Sequence, residues 1–356
     1  MSSLPEDIYR EILLRAPGRS LLSCKFVCKN WFAIISRADF VKLHLKFAKQ
    51  RNKYGLALNT YDKRTHCEAI CSVPYDSLSS SSPNAVKLDH PFRDHNRVAL
   101  LGSCNGLVAL WIKNGIKDND IWFEDNSSWF VCLWNPATSE YKKIPESPDF
   151  YFRNHWRPPM VPIFAFGYDH KSDDYKMVKV FFVHNIIGLE HDWIAFIYTL
   201  GSNSWKRIDQ ILPYGFREAK TSRVLVNEAL HWLGMSYTKT KPNFYIVSWG
   251  ISSERFEVMQ LPEGLSEDKT SILGLLKGCL CVFFMNSSKS GLDVWVMQEY
   301  GVRASWTNHF SITPGPSCRE ITCHIKILLC LINGEILLDS KGSYIYMTRI
   351  MQELEN

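Results

Sequence analysis

The sequence predicts a mainly β protein with a small α-helical domain at its N-terminus, on three observations. Apolar residues recur at helical spacing only in roughly the first 45 residues. Beyond them, short apolar runs alternate with turn residues, and aromatics are abundant, with 12 Trp, 15 Tyr and 20 Phe in 356 residues, which favours strands. These runs also return in groups of four, about every 50 residues.

The helical segment comes first. Leu4-Pro5-Glu6-Asp7 is a helix start, because proline fits the first turn and two acids complement the positive end of the helix dipole. Leu4, Ile8 and Ile12, with Leu13 beside them, form one apolar stripe, and Pro17-Gly18 stops the helix. Ser20 is placed to cap a second helix carrying Leu21, Leu22, Phe26 and Val27. A third runs through Trp31, Ile34 and Ile35 towards Phe40. Three helices this short need few large apolar residues for a core of their own. The excess predicts either a partner that covers it or a cap on the following domain.

The charge of this segment agrees with a partner. Residues 1–50 hold nine Lys or Arg against four acids, an excess equal to the +5 of the whole chain, so the remainder is neutral. A local basic excess suits an acidic partner. No basic stripe with spaced aromatics continues into the neutral part, which argues against nucleic acid. With 46% hydrophobic and 22% charged residues the composition is that of an ordinary globular protein, and no apolar run is long enough to span a bilayer. The start has no secretory signal pattern, and the eleven cysteines read as reduced thiols of a cytosolic or nuclear protein. Cys24/Cys28 and Cys67/Cys71 lack the matched spacing of a zinc site; Cys28 is expected on an apolar helix face, and no metal is implied.

The strand region follows. Residues 46–97 hold a linker, first strands at 54–73 and a polar, Ser-rich loop. Two apolar runs then flank Asn105-Gly106, a hairpin signal. A strand–turn–strand pair over 128–145 completes the unit, and four-part units return over 163–208, 222–262 and 271–312. A last partial unit ends the chain, and the strands at 54–73 are expected to complete it. Such units, with aromatics in their later strands, predict a kelch-like β-propeller of five or six blades over residues 98–350. The alternative is a pair of β-sandwiches.

Two resemblances refine this reading. Leu4, Pro5, Asp7, Glu11, Ile12, Leu13, Arg15, Pro17, Ser20, Leu21, Leu22, Val27, Cys28, Lys29 and Trp31 match the order of an F-box, placed at residues 1–45. Ala16 departs from its usual Leu, Ser23-Cys24 from Arg-Phe, and Phe26 from Cys. The strand region resembles the plant F-box-associated domain of S-locus F-box proteins, through Gly102-Ser103-Cys104-Asn105-Gly106-Leu107, Trp134-Asn135-Pro136-Ala137-Thr138, Phe166-Gly167-Tyr168-Asp169, Asp173-Asp174-Tyr175-Lys176 and Ser305-Trp306. The first resemblance implies docking on the acidic Skp-type adaptor of a cullin-based ubiquitin ligase, through Leu4, Pro5, Ile8, Ile12, Leu13, Pro17, Leu21, Leu22, Val27 and Trp31. The second implies capture of a protein substrate, in some relatives a self-incompatibility ribonuclease.

No G-x-S-x-G, H-E-x-x-H, Walker or G-x-G-x-x-G pattern is present. Asp173-Asp174 reads as a hairpin turn and His231 as a satisfied core or rim histidine. No cofactor is implied and the protein is expected to be non-catalytic. Three insertions break the strand rhythm at 113–129, 148–162 and 183–193. The second holds Tyr151, Phe152, Arg153, Trp156 and Arg157, residue types enriched at binding hot spots, and is the expected substrate surface. The rival reading is a propeller enzyme or carbohydrate-binding module with a helical cap.

Overall fold

The computed structural model describes residues 4–50, 55–62, 67–74, 85–92, 98–113, 129–148, 162–184, 191–210, 215–216, 224–237, 242–265, 271–286, 291–312, 325–330, 336–340 and 344–348. The chain divides into two compact units, residues 1–116 with 128–144, and residues 117–127 with 145–356.

The first unit begins with four helices: α1 (Glu6–Arg15), α2 (Gly18–Cys24), α3 (Lys29–Ser36) and α4 (Ala38–Gln50). Pro5 and Pro17, both near φ −57° (−55° and −58°), precede α1 and α2 and pre-set their first turns. Ser20 therefore lies inside α2 rather than at its cap. Cys28 is exposed, not on an apolar face; its Sγ accepts the Trp31 N–H at 3.5 Å and so caps α3. The third expected helix is in fact two. Arg37 is extended between them (φ −71°, ψ 137°), a break with no Gly or Pro to announce it. Leu13, Leu14, Leu21, Ile34, Ile35 and Phe40 form the helical core. Arg37–Glu6 and Arg10–Asp39 ion pairs, each 2.8 Å, tie α1 to the α3–α4 junction.

Among the described residues, two sheets follow in this unit. In the first, β1 (Gly55–Asp62), β2 (Cys67–Pro74) and β3 (Val86–Lys87) pair in order. Among the described residues, the strands at 54–73 form a sheet of their own, β1 on β2 and β2 on β3, and share no sheet with the last unit of the chain. The second sheet is β4 (Val98–Cys104), β5 (Leu107–Lys113), β6 (Trp129–Trp134) and β7 (Tyr141–Lys143). Asn105 and Gly106 have φ 53° and 85°, the geometry of a two-residue hairpin turn, with Cys104 opposite Leu107. Asn135 Oδ1 accepts the Ala137 N–H at 3.0 Å, which turns β6 into β7. Strand β6 is buried at all six positions, so both faces of this sheet are covered; Ile70 and Leu88 pack against it.

Among the described residues, the second unit holds four more sheets. The third sheet is β8 (Ile163–Asp169), β9 (Asp174–His184), β10 (His191–Thr199) and β11 (Ser204–Ile208). The fourth has five strands, β12 (Gly215–Phe216), β13 (Val224–Val226), β14 (Ala229–Tyr237), β15 (Pro242–Gly250) and β16 (Phe256–Gln260). Its first strand is split, because β12 and β13 pair with different stretches of β14. The fifth is β17 (Ser271–Leu276), β18 (Cys279–Asn286), β19 (Gly291–Met297) and β20 (Trp306–Ile312). The sixth is β21 (Ile325–Cys330), β22 (Ile336–Ser340) and β23 (Tyr344–Thr348). The fold is mainly β, with antiparallel, propeller-like sheets behind an N-terminal helical domain.

Neighbouring sheets of the second unit share dry cores. Val178, Val180, Ile197, Trp232, Val247 and Trp249 join the third to the fourth. Leu233, Ile246, Leu273 and Val282 join the fourth to the fifth. Gly167 permits the first approach, since a Cβ there would lie 2.5 Å from Ile251 Cδ1.

Polar bridges at the turns reinforce these cores in a repeated way. Lys176, third in β9, reaches the β15–β16 turn, where its Nζ donates to Glu254 Oε1 (2.7 Å) and Ile251 O (3.3 Å). It also pairs with Asp169 at 2.9 Å, and Ser252 Oγ donates to the same carboxylate. His231, third in β14, is the equivalent residue one sheet on. Its Nδ1 lies 3.1 Å from Val224 O, and its Nε2 2.9 Å from the hydroxyl of Tyr300 in the β19–β20 turn. Outer-strand tryptophans bond as well: Trp306 Nε1 in β20 donates to Gln260 O at the end of β16 (3.2 Å), and Trp205 Nε1 in β11 donates to Pro145 O (2.8 Å). Where the fourth sheet has Phe256 instead, the Gln210 side chain bonds both its N–H and its C=O at 2.8 Å.

Burial alone would raise the pKa of Asp169, but hydrogen bonds from Ser252, Ser172 and Lys176 outweigh it and hold the carboxyl well below its usual range. A group whose folded pKa is depressed contributes stability above its unfolded value, about 3.9, and loses it as pH falls towards the folded value. Lys176→Met should therefore remove about 3–5 kcal/mol, because it leaves a buried carboxylate without its counter-charge. Urea unfolding at pH 7 measures this, and the gap between variant and parent should narrow below pH 4. A loss under about 1 kcal/mol would mean that the bridge behaves as an exposed ion pair.

Candidate functional site

The helical unit carries more apolar surface than its core uses, and the structure sorts the ten residues read from the sequence. Leu13 and Leu21 are only 1% and 7% exposed. They fill the core between helices and are not available for contact, which corrects their place in the predicted docking surface. Trp31 is half-buried, packed edge-on to Tyr9 at 6.1 Å between ring centroids, and Leu22 is half-buried too. Pro5 and Pro17 are exposed helix starts.

Leu4, Ile8 and Ile12 remain uncovered, at 51%, 45% and 48%. Their i, i+4, i+8 spacing puts them on one side of the first helical stretch. The other side carries Tyr9 and Leu13 into the core and Arg10 to Asp39. Val27 is also exposed, next to Phe26, which at 90% is the most exposed large apolar residue among those described. Phe32 and Val41 are exposed as well. Sequence periodicity passed over Phe32 and Val41, and it put Phe26 and Val27 on the second helix, which ends instead at Cys24. Phe26 did carry a signal, since it stands between two lysines one turn past the last core position of α2.

Hydrogen bonds brace the helices that present these groups. His44 Nε2 lies 2.9 Å from Ala16 O, closing the end of α1 against α4. The turn after α2 is held by Lys25, Phe26 and Val27 N–H groups donating to Leu21, Ser23 and Cys24 carbonyls at 3.0–3.2 Å. An apolar side chain ordered before binding adds little entropy cost when covered. Full burial of one Ile or Leu is worth about 1.5–3 kcal/mol.

The titratable candidates elsewhere have structural roles. Asp173 has φ 56° at the β8–β9 turn, and Asp174 accepts the Gly201 N–H at 2.9 Å. His231 is fully buried, and burial lowers its pKa, so the imidazole is neutral at pH 7. Among the described residues, no group of three or more His, Cys, Asp or Glu is arranged to hold a metal ion. Nor is any described helix long and apolar enough to cross a membrane. Tyr151, Phe152, Arg153, Trp156 and Arg157 lie outside the described residues.

Comparisons with known proteins agree on both parts. The model of the F-box domain matches residues 1–43, and that of the F-box associated beta propeller domain matches residues 123–349. F-box protein CPR1 of Arabidopsis thaliana is 29% identical over 95% of this chain and 80% of its own length. A second F-box protein of that plant is 26% identical over 93% and 79%. An F-box/kelch-repeat protein from it is 28% identical over 88% and 80%.

Core and stripe should part company on mutation. Leu21→Ala is expected to destabilise the helical unit by about 2–5 kcal/mol through the cavity it leaves. Ile12→Ala should stay within about 0.5 kcal/mol of the parent. Denaturant unfolding of the two variants checks this; equal losses would mean that Ile12 is packed like Leu21.

Proposed function

The chain belongs to the F-box proteins with an F-box associated β-propeller domain, and on that premise we propose that it is the substrate-recognition subunit of a cullin-based ubiquitin ligase. Its helical domain docks on a Skp-type adaptor, and through it on a cullin, while the strand domain holds a protein to be ubiquitinated. The subunit has no reaction to catalyse: it places a substrate lysine near a ubiquitin-charged enzyme, and rate comes from proximity. The cytoplasm or nucleus is its proposed place of work.

The observation that carries this reading is the Leu4–Ile8–Ile12 stripe, left uncovered on a domain whose core is already complete. The net positive charge of the segment suits an acidic adaptor. Substrate capture is proposed for the 148–162 loop through Trp156 and Arg157, which give large contact area and bidentate hydrogen bonding. A self-incompatibility ribonuclease is one substrate to test there.

Ile8→Glu with Ile12→Glu should abolish co-purification with the adaptor, because two carboxylates would be buried unpaired. The melting temperature should not change, since both sites are exposed. Retained binding by this folded variant would reject docking through the stripe.

Trp156→Ala with Arg157→Ala should spare folding and adaptor binding and lengthen substrate half-life in cells. Candidate ribonucleases can be screened by pull-down with the same variant. Lower stability with unchanged substrate binding would instead make Trp156 a packing residue.

A further inference from the structure

The third and fourth sheets meet through polar groups at the Asp169 carboxylate, and two serine hydroxyls donate to it. Ser252, in the β15–β16 turn, is half-buried. Ser172, in the β8–β9 turn, is exposed, and its Oγ donates to Asp169 Oδ2 at 2.7 Å. The Lys171 N–H donates to Oδ1 of the same carboxylate at 2.9 Å. Asp169 therefore folds its own turn and, through Lys176 and Ser252, holds the neighbouring sheet. It is only 2% exposed, so the Ser172 hydroxyl is a surface group wired directly to a buried charge.

The setting of Ser172 is that of an accessible nucleophile. Residues 170–173 form a turn and all four are exposed. Asp173 and Asp174 follow directly, held in place by the Tyr168 hydroxyl and the Gly201 N–H. An exposed serine on a surface turn with two acids after it suits a protein kinase whose substrate groove is basic.

We propose that Ser172 is a phosphorylation site whose modification loosens the junction between the third and fourth sheets. A kinase transfers the γ-phosphoryl group of a nucleoside triphosphate to Ser172 Oγ. The Oγ–P bond forms, the bond to the leaving diphosphate breaks, and the hydroxyl proton passes to a base of the kinase. Oγ then has no proton to donate, and nearly two negative charges stand beside a buried carboxylate. Like charges repel, and the phosphate competes for Lys176, which Asp169, Glu254 and Ile251 O now share. The next junction, from His231 to Tyr300, uses other groups and keeps its bridge. The inference stands apart from adaptor docking: it concerns the strand region alone.

The test treats the full chain with a purified casein-kinase-type enzyme, which selects serines followed by acids, and maps phosphate by tandem mass spectrometry. Phosphate is expected on Ser172. The modified chain should melt about 2–4 °C below the untreated one. Amide exchange should rise about tenfold in the β8–β9 and β15–β16 turns, while the fifth sheet keeps its parent rates. Ser172→Ala treated in the same way controls for phosphate elsewhere. Ser172→Asp should lower the melting temperature more than Ser172→Ala, which loses one hydrogen bond and adds no charge. Either of two results would overturn the proposal: no phosphate at Ser172 in the folded chain, or phosphate there with parent-like melting and exchange.

Discussion

Everything in the strand region follows from one constraint: a four-stranded sheet whose two faces are both apolar cannot stay dry alone. Strand β6 is buried along its whole length, and both faces of β9 and β10 carry core residues, Val178 and Ile197 on one, Phe181 and Phe196 on the other. Such sheets must be stacked against others, and the stack is what makes the domain rigid. Hydrophobic contact alone would let neighbours slide, since it has no direction. The polar bridges fix the register. Lys176 and His231 sit at the same position of successive sheets and reach the same turn of the next one, the first through charge and the second as a neutral ring.

The helical domain is built the other way. Its core is small, and the residues that would widen it face outward instead. Leu4, Ile8 and Ile12 could be polar without harm to the fold. Under the proposed function, these residues meet a surface supplied by a partner. The chain thus joins strand sheets that cover one another to a helical domain left with apolar surface exposed.

The sequence showed much of this and missed some for definite reasons. Asn105-Gly106 announces its hairpin because both positions need positive φ, and the four-strand units are visible through alternation. Turns at Asn227-Glu228 and Lys277-Gly278 also have positive φ at both positions but weaker turn composition. The split of the third helix at Arg37 was hidden, since no Gly or Pro marks it and the ion pairs that hold the junction, Arg37–Glu6 and Arg10–Asp39, come from residues about thirty positions away. The docking surface was half legible. Spacing puts Leu13 beside the Leu4–Ile8–Ile12 stripe, but it cannot say which side of a doubly apolar helix turns inward, and Leu13 and Leu21 went to the core. Lys176 and Asp169 stand in a motif that reads as a turn; that they bridge to Glu254 and Ser252, more than seventy residues on, is a fact of tertiary structure.

The central claim is that the helical domain's exposed apolar residues are a surface for the adaptor. Carbene footprinting with mass spectrometry, on the full chain alone and with a purified Skp-type adaptor, tests it most directly. The account predicts that labelling of Leu4, Ile8, Ile12 and Phe26 falls steeply on complex formation, with Leu13, Leu21 and the strand residues unchanged. Undiminished labelling of Ile8 and Ile12 in a formed complex, or protection confined to the strands, would contradict it.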